Sequence, residues 1–436
     1  MSDYIYLLES HLSPEQNRVL SDVQAAAAAA NVNLFLTGGA MRDMLAGFRI
    51  RDLDFVVEGN ALKVAKELAE RPGARVTATD ENRKAAELQF DGDVTVQIAM
   101  ARQEKYGKPG GRVQVSPSTI QEDLRGRDFT CNAIALSLNK ASRGLLLDPM
   151  NGLADIERRE LRAVSPYGFY DDPTRLLRLV RLRVRLGFSV EERTRMQVAN
   201  AREAETEKQI PRTALAQELR RIGAEDRAGE ILSALESEGL LALFSPALAG
   251  GKLNEAGLAK FDKAASIVPP EPAWRTGRWG TFLYALAEKL PPREKQTLAK
   301  NLELTKADID AWQKLEARAK KLETALRAPR VRKPSHVYHL MARAAPDEVI
   351  FLLYHSPYKP VVERMRNYFQ KYLPALQEVT AEEWATVEGQ PGTAKYNKAR
   401  DEFITKRLDR RPPKPADPAA AEAPAPPVVE AAGKRK

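Results

Sequence analysis

With 436 residues, 43% of them hydrophobic, the chain is long enough for about two to four domains with real cores. Its single cysteine, Cys131, excludes a disulfide framework and any Cys-based zinc site, and fits a reducing, cytoplasmic compartment. No apolar run approaches the roughly 18–20 residues of a membrane span, so no membrane is expected, while a net charge of +9 suits a polyanionic partner.

Residues 1–30 read as a helix, with Ser13-Pro14-Glu15 as a start signal. The alanine run within it, Ala25–Ala30, is too short and too weakly apolar for a signal segment. Leu34-Phe35-Leu36 then reads as a strand ending in Thr37-Gly38-Gly39, with a helix starting over Met41–Ala46. Leu53–Val57 is a second strand and Ala61–Glu70 a helix. Glu87–Phe90 and Val94–Met100 alternate around Asp91-Gly92-Asp93, a hairpin signal. Strand signals largely end by Leu147, and the rest is rich in Leu, Ala, Arg and Glu at helical spacing. The expected fold is therefore α+β: a head with a small mixed sheet over 31–150, then an all-α remainder. The final stretch, 411–436, is Pro/Ala-rich and reads as a disordered tail.

Three clusters could carry chemistry. In the first, Gly38-Gly39 between a strand and a helix lets backbone N–H groups approach a phosphate, with Arg42 and Asp43 one turn in. Asp52 and Asp54 follow, two residues apart, so on a strand both carboxylates leave one face. Two such anions repel unless a cation lies between them, and Mg²⁺ held with substrate phosphates is the usual one. The plain alternative is a tight turn with two surface aspartates. The second cluster, Asp123 to Ala133, holds Arg127 and Asp128 and runs into Ile134-Ala135-Leu136; alone it equally fits a capped helix entry with an ordinary ion pair. In the third, Asp172-Pro173 is a helix-start pair. Behind it Arg175, Arg178 and Arg181 form a stripe beside Leu177, Val180 and Val184, widened by Leu176, Leu179, Leu182 and Leu186. A solvated arginine face is the default for such a stripe. A helix this apolar is expected to be buried, however, and buried arginine needs an anion, which a triphosphate and a base edge would supply.

Taken in this order, GGxxRD with DxD, RDFTxNA, and DPxRLLRxxR followed by Leu186-Gly187-Phe188 resemble the class II tRNA nucleotidyltransferases (CCA-adding enzymes) and the related bacterial poly(A) polymerases. Ala101 to Tyr106 with Pro109-Gly110, and Asp148-Pro149 with Asn151-Gly152 and Asp155-Ile156, resemble further stretches of that family. The resemblance covers roughly Leu34 to Leu219 and implies an enzyme that adds C and A residues from CTP and ATP to the 3′ end of a tRNA. The same family also holds A-adding, CC-adding and poly(A)-adding activities. It implies that Asp52 and Asp54 are catalytic and hold two Mg²⁺ ions. Gly38, Gly39, Arg42 and Asp43 would lie at the triphosphate, and Arg127 and Asp128 at the nucleotide. Asp172, Arg175, Arg178 and Arg181 would form the nucleotide-recognition helix of a neck over 151–225, followed by an RNA-binding body and tail over 226–410. Tyr358-Lys359 and Arg364–Tyr372 could meet RNA, or could equally be helix packing.

Three positions depart from the family pattern. Gln97 stands on a strand where an acid usually completes the carboxylate set, and Gly126 replaces the first arginine of RRDFT. The segment Ile210–Leu219 keeps Glu218-Leu219 but lacks the Glu-Arg-Ile before it. A non-catalytic RNA-binding paralogue is the alternative that Gln97 and Gly126 suggest, and the retained Asp52, Asp54 and Asp172 argue against it.

Overall fold

In a computed structural model, residues 3–108, 110–111 and 113–410 are described. The Pro/Ala-rich stretch 411–436 lies outside the described residues. The first thirty residues form two helices rather than one, α1 (Asp3–His11) and α2 (Pro14–Ala29). Ser13 makes the break. Its hydroxyl accepts the Gln16 N–H at 3.2 Å while the Gln16 side chain accepts the Ser13 N–H at 3.0 Å, and Pro14 opens the new helix.

The head then runs β1 (Asn33–Thr37), α3 (Gly38–Leu45), β2 (Leu53–Glu58), α4 (Ala61–Ala69), β3 (Ala74–Asp80), β4 (Ala85–Phe90) and β5 (Val94–Met100). A separate ribbon of β6 (Arg102–Tyr106) and β7 (Val113–Pro117) leads to α5 (Ile120–Arg125), and β8 (Ala135–Ser137) and β9 (Leu146–Leu147) complete the sheet. Its seven strands lie in the order β3-β4-β5-β2-β1-β8-β9. β2 and β5 are parallel and the other neighbours antiparallel. The expected hairpin is present as β4–β5, with Phe90 opposite Val94. α3 starts at Gly38, earlier than the Met41–Ala46 signal, and Gly38 sits at φ +63°, where a side chain is disfavoured.

Among the described residues the remainder is mainly helical, with a two-residue parallel pairing of Glu160–Leu161 with Ser189–Val190 and a single bridge from Ala163 to Phe129. It comprises α6 (Gly152–Arg158), α7 (Gly168–Asp171), α8 (Thr174–Leu186), α9 (Glu192–Glu203), α10 (Arg212–Gly223), α11 (Ala228–Ser237), α12 (Glu255–Ala265), α13 (Pro272–Thr276) and α14 (Trp279–Ala287), with further helices to Asp409. Among the described residues no helix is long and apolar enough to cross a membrane.

α8 joins the two halves. Its leucines Leu176, Leu179, Leu182 and Leu186 belong to the head's core with Phe55, Phe129 and Phe169. Leu177 and Val180 instead enter the body's core with Leu219, Ile231 and Phe282. What reads as one wide apolar stripe is thus two faces in two cores. Burying a leucine contributes about 1.5–3 kcal/mol, so this helix fixes the head against the body.

Candidate active site

β1 pairs with β2 so that Leu36 faces Phe55, which brings the Thr37-Gly38 turn beside Asp54. The Gly39 N–H donates to Asp54 Oδ2 at 3.1 Å. A Cβ at Gly38 or Gly39 would lie 3.3 or 3.2 Å from that oxygen, so both glycines permit the approach of backbone to carboxylate. The same two positions lie within 3.7 Å of Arg127 Nη1 and 3.5 Å of Arg42 Nη2 respectively. Gly38, Gly39, Arg42, Asp54 and Arg127, far apart in sequence, therefore share one place.

Asp52 precedes β2 by one residue, and both it and Asp54 are half-buried while Leu53 between them points into the core. Burial and the neighbouring Asp52 push the Asp54 carboxyl up to about 6, against the pull of Arg127, Arg42 and the Gly39 N–H. A carboxyl raised by a neighbouring carboxylate is one that a cation held between the two would stabilise in its charged form. Among the described residues no group of three or more His, Cys, Asp or Glu could hold a metal. The protein thus offers two hard oxygen donors, which fits Mg²⁺, an ion that keeps waters and takes substrate phosphates for the remaining positions. Gln97 lies opposite Asp54 in the parallel β2–β5 register, so a neutral amide stands beside Asp54 on its face of the sheet.

One residue at this site escaped sequence reasoning. Arg275 on α13 donates from Nη2 to Asp52 Oδ1 at 3.1 Å, across a separation of 223 residues. Nothing marks it in the sequence beyond a basic residue near Pro272 and Trp274, because no local pattern encodes a contact between body and head.

On the opposite side, Arg175 donates to the carbonyls of Gly126 at 3.1 Å and Arg127 at 3.3 Å. Its Nε is buried without a hydrogen-bond partner and lies 3.8 Å from Asp172 Oδ2. Asp172 Oδ1 accepts the Thr174 N–H at 3.1 Å, closing the first turn of α8. The expected Asp172-Pro173 start is therefore present, shifted by about one residue. The β6–β7 ribbon borders this side. Glu104 accepts from Arg83, Arg102 and the Tyr106 hydroxyl, and the Gly110 N–H reaches the Asp171 carbonyl at 3.4 Å.

The other predicted nucleotide residues are paired within the protein. Arg178 donates to Asp128 Oδ2 at 2.7 Å, and Asp128 Oδ1 accepts from Asn132 and the Phe129 N–H. Burial alone would raise the Asp128 carboxyl, but Arg178 and Arg175 outweigh it and hold it well below the usual range. Arg181 pairs with Glu218 at 2.6 Å and Glu225 at 3.1 Å. Asp43 accepts from Arg42 at 2.7 Å and from Arg185 at 2.6 Å. Arg42 also donates to Asn132 at 2.7 Å. Protein carboxylates thus serve as anionic partners of Arg178 and Arg181, as burial of a charge requires. Glu218, the retained acid of the altered Ile210–Leu219 segment, is the main partner of Arg181. Gly126 ends α5 with φ −88°, and a Cβ there would meet only carbonyl oxygens at 3.4 and 3.8 Å, so its missing side chain is no backbone requirement. In the body, Tyr368 and Phe369 are packed inside and Arg327 stacks at 3.6 Å on Tyr358, while Lys359, Arg366 and Lys371 are exposed.

Residues 34–162 match the poly A polymerase head domain family. Over 198 residues the chain is 40% identical to an A-adding tRNA nucleotidyltransferase of Aquifex aeolicus, covering 45% of this chain and 24% of that one. Over 177 residues it is 37% identical to a CC-adding tRNA nucleotidyltransferase of Deinococcus radiodurans, covering 41% and 47%. The chain spans about a quarter to half the length of the curated relatives it matches. The apo form II structure of a CCA-adding enzyme superposes over 95% of this chain and 96% of that one, with TM-score 0.54 and 25% identity. The head sheet and helical remainder agree with these likenesses, and residues 34–162 carry the poly A polymerase head domain, while over the whole length the chain is similar to tRNA nucleotidyltransferases.

Proposed function

We propose that this chain is a template-independent nucleotidyltransferase that adds C and A residues to the 3′ end of a tRNA, using CTP and ATP and releasing pyrophosphate. The observation that carries the reading is the meeting of Asp54 with the Gly38-Gly39 turn, Arg42 and Arg127. Asp52 and Asp54 would hold two Mg²⁺ ions, which when bound supply charge stabilisation at the attacking and leaving oxygens. In the transfer the RNA 3′-hydroxyl oxygen bonds to the α-phosphorus, the bond to the bridging oxygen breaks, and pyrophosphate leaves. Arg127 lies beside Gly38 while paired with Asp123 at 2.6 Å, and on this reading it and the backbone at the start of α3 would bear on the phosphates. At the other side Asp172 only accepts and Arg175 only donates. That pair complements the amino group and ring nitrogen of both C and A, and opposes the carbonyl and ring N–H of U and G.

The test is a tRNA lacking its terminal CCA, incubated with Mg²⁺ and each nucleoside triphosphate singly and in pairs. Addition of C and A with U and G refused is expected. Growth with ATP alone on a tRNA already ending in CC identifies an A-adding enzyme, and arrest after two C residues a CC-adding one. Asp54→Ala should lower addition by at least about 10²–10³-fold, the loss typical of one charge-stabilising group, while tRNA affinity stays near that of the unaltered protein. Near-normal addition by that variant would overturn the assignment.

A further inference from the structure

Arg275 has a second face. Besides touching Asp52 it lines a cavity of about 230 Å³ where head, neck and body meet, against the roughly 30 Å³ one water occupies. The charged lining is Arg49, Arg51, Arg185 and Arg275, against one acid, Asp226. Arg51 is paired with Glu225 and Asp226, and Arg185 with Asp43. Arg49 is exposed and has no partner among the described residues. Arg275 spends one nitrogen on Asp52, and its Nε is buried with no acceptor, as is Nη1 of the adjacent Arg278. A buried donor left unmet costs about 1–3 kcal/mol. Burial and the nearby Arg42 hold Arg185 down at about 10. The lining thus holds one guanidinium, Arg49, that meets no protein acid among the described residues, and a second, Arg275, whose Nε lacks an acceptor, and guanidinium forks suit phosphate oxygens.

We propose that this cavity is a phosphate-binding site, with Arg49 and Arg275 as its donors and Arg51 and Arg185 as its fixed wall. The inference rests on the nucleotidyl-transfer reading, which supplies two sources of the group: the phosphodiester backbone of the bound RNA and the released pyrophosphate. Because Arg275 also holds Asp52, a phosphate that draws its guanidinium into the cavity frees that carboxylate for a cation.

The experiment compares the unaltered chain with Arg49→Ala, Arg275→Gln and the double variant. One arm titrates inorganic pyrophosphate without metal, by calorimetry. The other measures tRNA affinity by fluorescence anisotropy across a KCl series. If the ligand is an RNA phosphate, Arg49→Ala should reduce the slope of log affinity against log salt by about 0.7–0.9, one contact's worth. If it is the free anion, that slope stays and pyrophosphate binding weakens several-fold in each single variant. In either case the double variant should lose less than the sum of the single losses, since both groups hold one phosphate. Unchanged salt slope together with unchanged pyrophosphate binding overturns the site, as do strictly additive losses. Base selection and nucleotide addition by the unaltered chain are scored separately, so this failure is distinct from failure of the proposed function.

Discussion

Asp128→Asn separates a structural role from a nucleotide contact. The Asp128 carboxylate takes Arg178 on one oxygen at 2.7 Å, and the Phe129 N–H at 2.7 Å with Asn132 at 2.9 Å on the other. Asparagine keeps the volume but removes the charge, and whichever way the amide turns, an NH₂ faces donors. Breaking a buried ion pair costs about 3–5 kcal/mol. The Arg178 side chain is 25% exposed, which lets water relieve it in part, so a loss of about 2–4 kcal/mol is expected. With a urea slope of about 2–3 kcal/mol per molar, the midpoint followed by circular dichroism should fall by roughly 1–2 M. The pH dependence has a fixed sign. The folded Asp128 carboxyl lies below its unfolded value, so its stabilisation is present above about pH 4 and is lost as pH falls toward the folded value. The variant should lack that acid-labile component. An unchanged midpoint accompanied by lost nucleotide binding would refute this reasoning and return Asp128 to the nucleotide.

Three further outcomes are expected. Gly152→Ala would place a Cβ 2.1 Å from the Thr130 carbonyl oxygen, and should destabilise the head by about 1–3 kcal/mol or more in thermal unfolding, with no such loss for Gly107→Ser, where the space is open and the backbone is not left-handed. Asp172→Ala should keep much of its triphosphate affinity but admit UTP, read by misincorporation on a tRNA lacking CCA; an intact refusal of UTP would place base choice elsewhere. Arg275→Gln removes a guanidinium from the partly exposed Asp52, so Mn²⁺ binding followed by electron paramagnetic resonance should tighten a few-fold, the worth of about 0.5–1 kcal/mol.

The parts of the fold legible in the sequence are those with local grammar. The Gly38-Gly39 turn, the β4–β5 hairpin and the start of α8 each carry turn or cap residues that act within a few positions. β3 was silent because it is an edge strand: most of its residues are exposed, with no alternation to read, and its pairing with β4 slips between Val76 and Ala78. β6, Arg-Gln-Glu-Lys-Tyr, is polar throughout and pairs only with β7. At the site, Asp52, Asp54 and the glycines could be placed because a strand fixes which side chains share a face. The partners of Arg178 and Arg181 could not, because Asp128, Glu218 and Glu225 come from other segments and any acid could have served. Arg275 lay beyond reach for the same reason.

The tether from Arg175 to the Gly126 and Arg127 carbonyls bears on fidelity. On the proposed reading, the arginine that reads the base also pins the backbone whose next side chain, Arg127, stands over the glycine turn at Asp54. An incorrect base that pulls Arg175 away loosens the loop carrying Arg127, and the phosphates lose their alignment before any bond is made. Misreading is then paid as slow turnover with little change in occupancy, so errors should register in kcat rather than in KM.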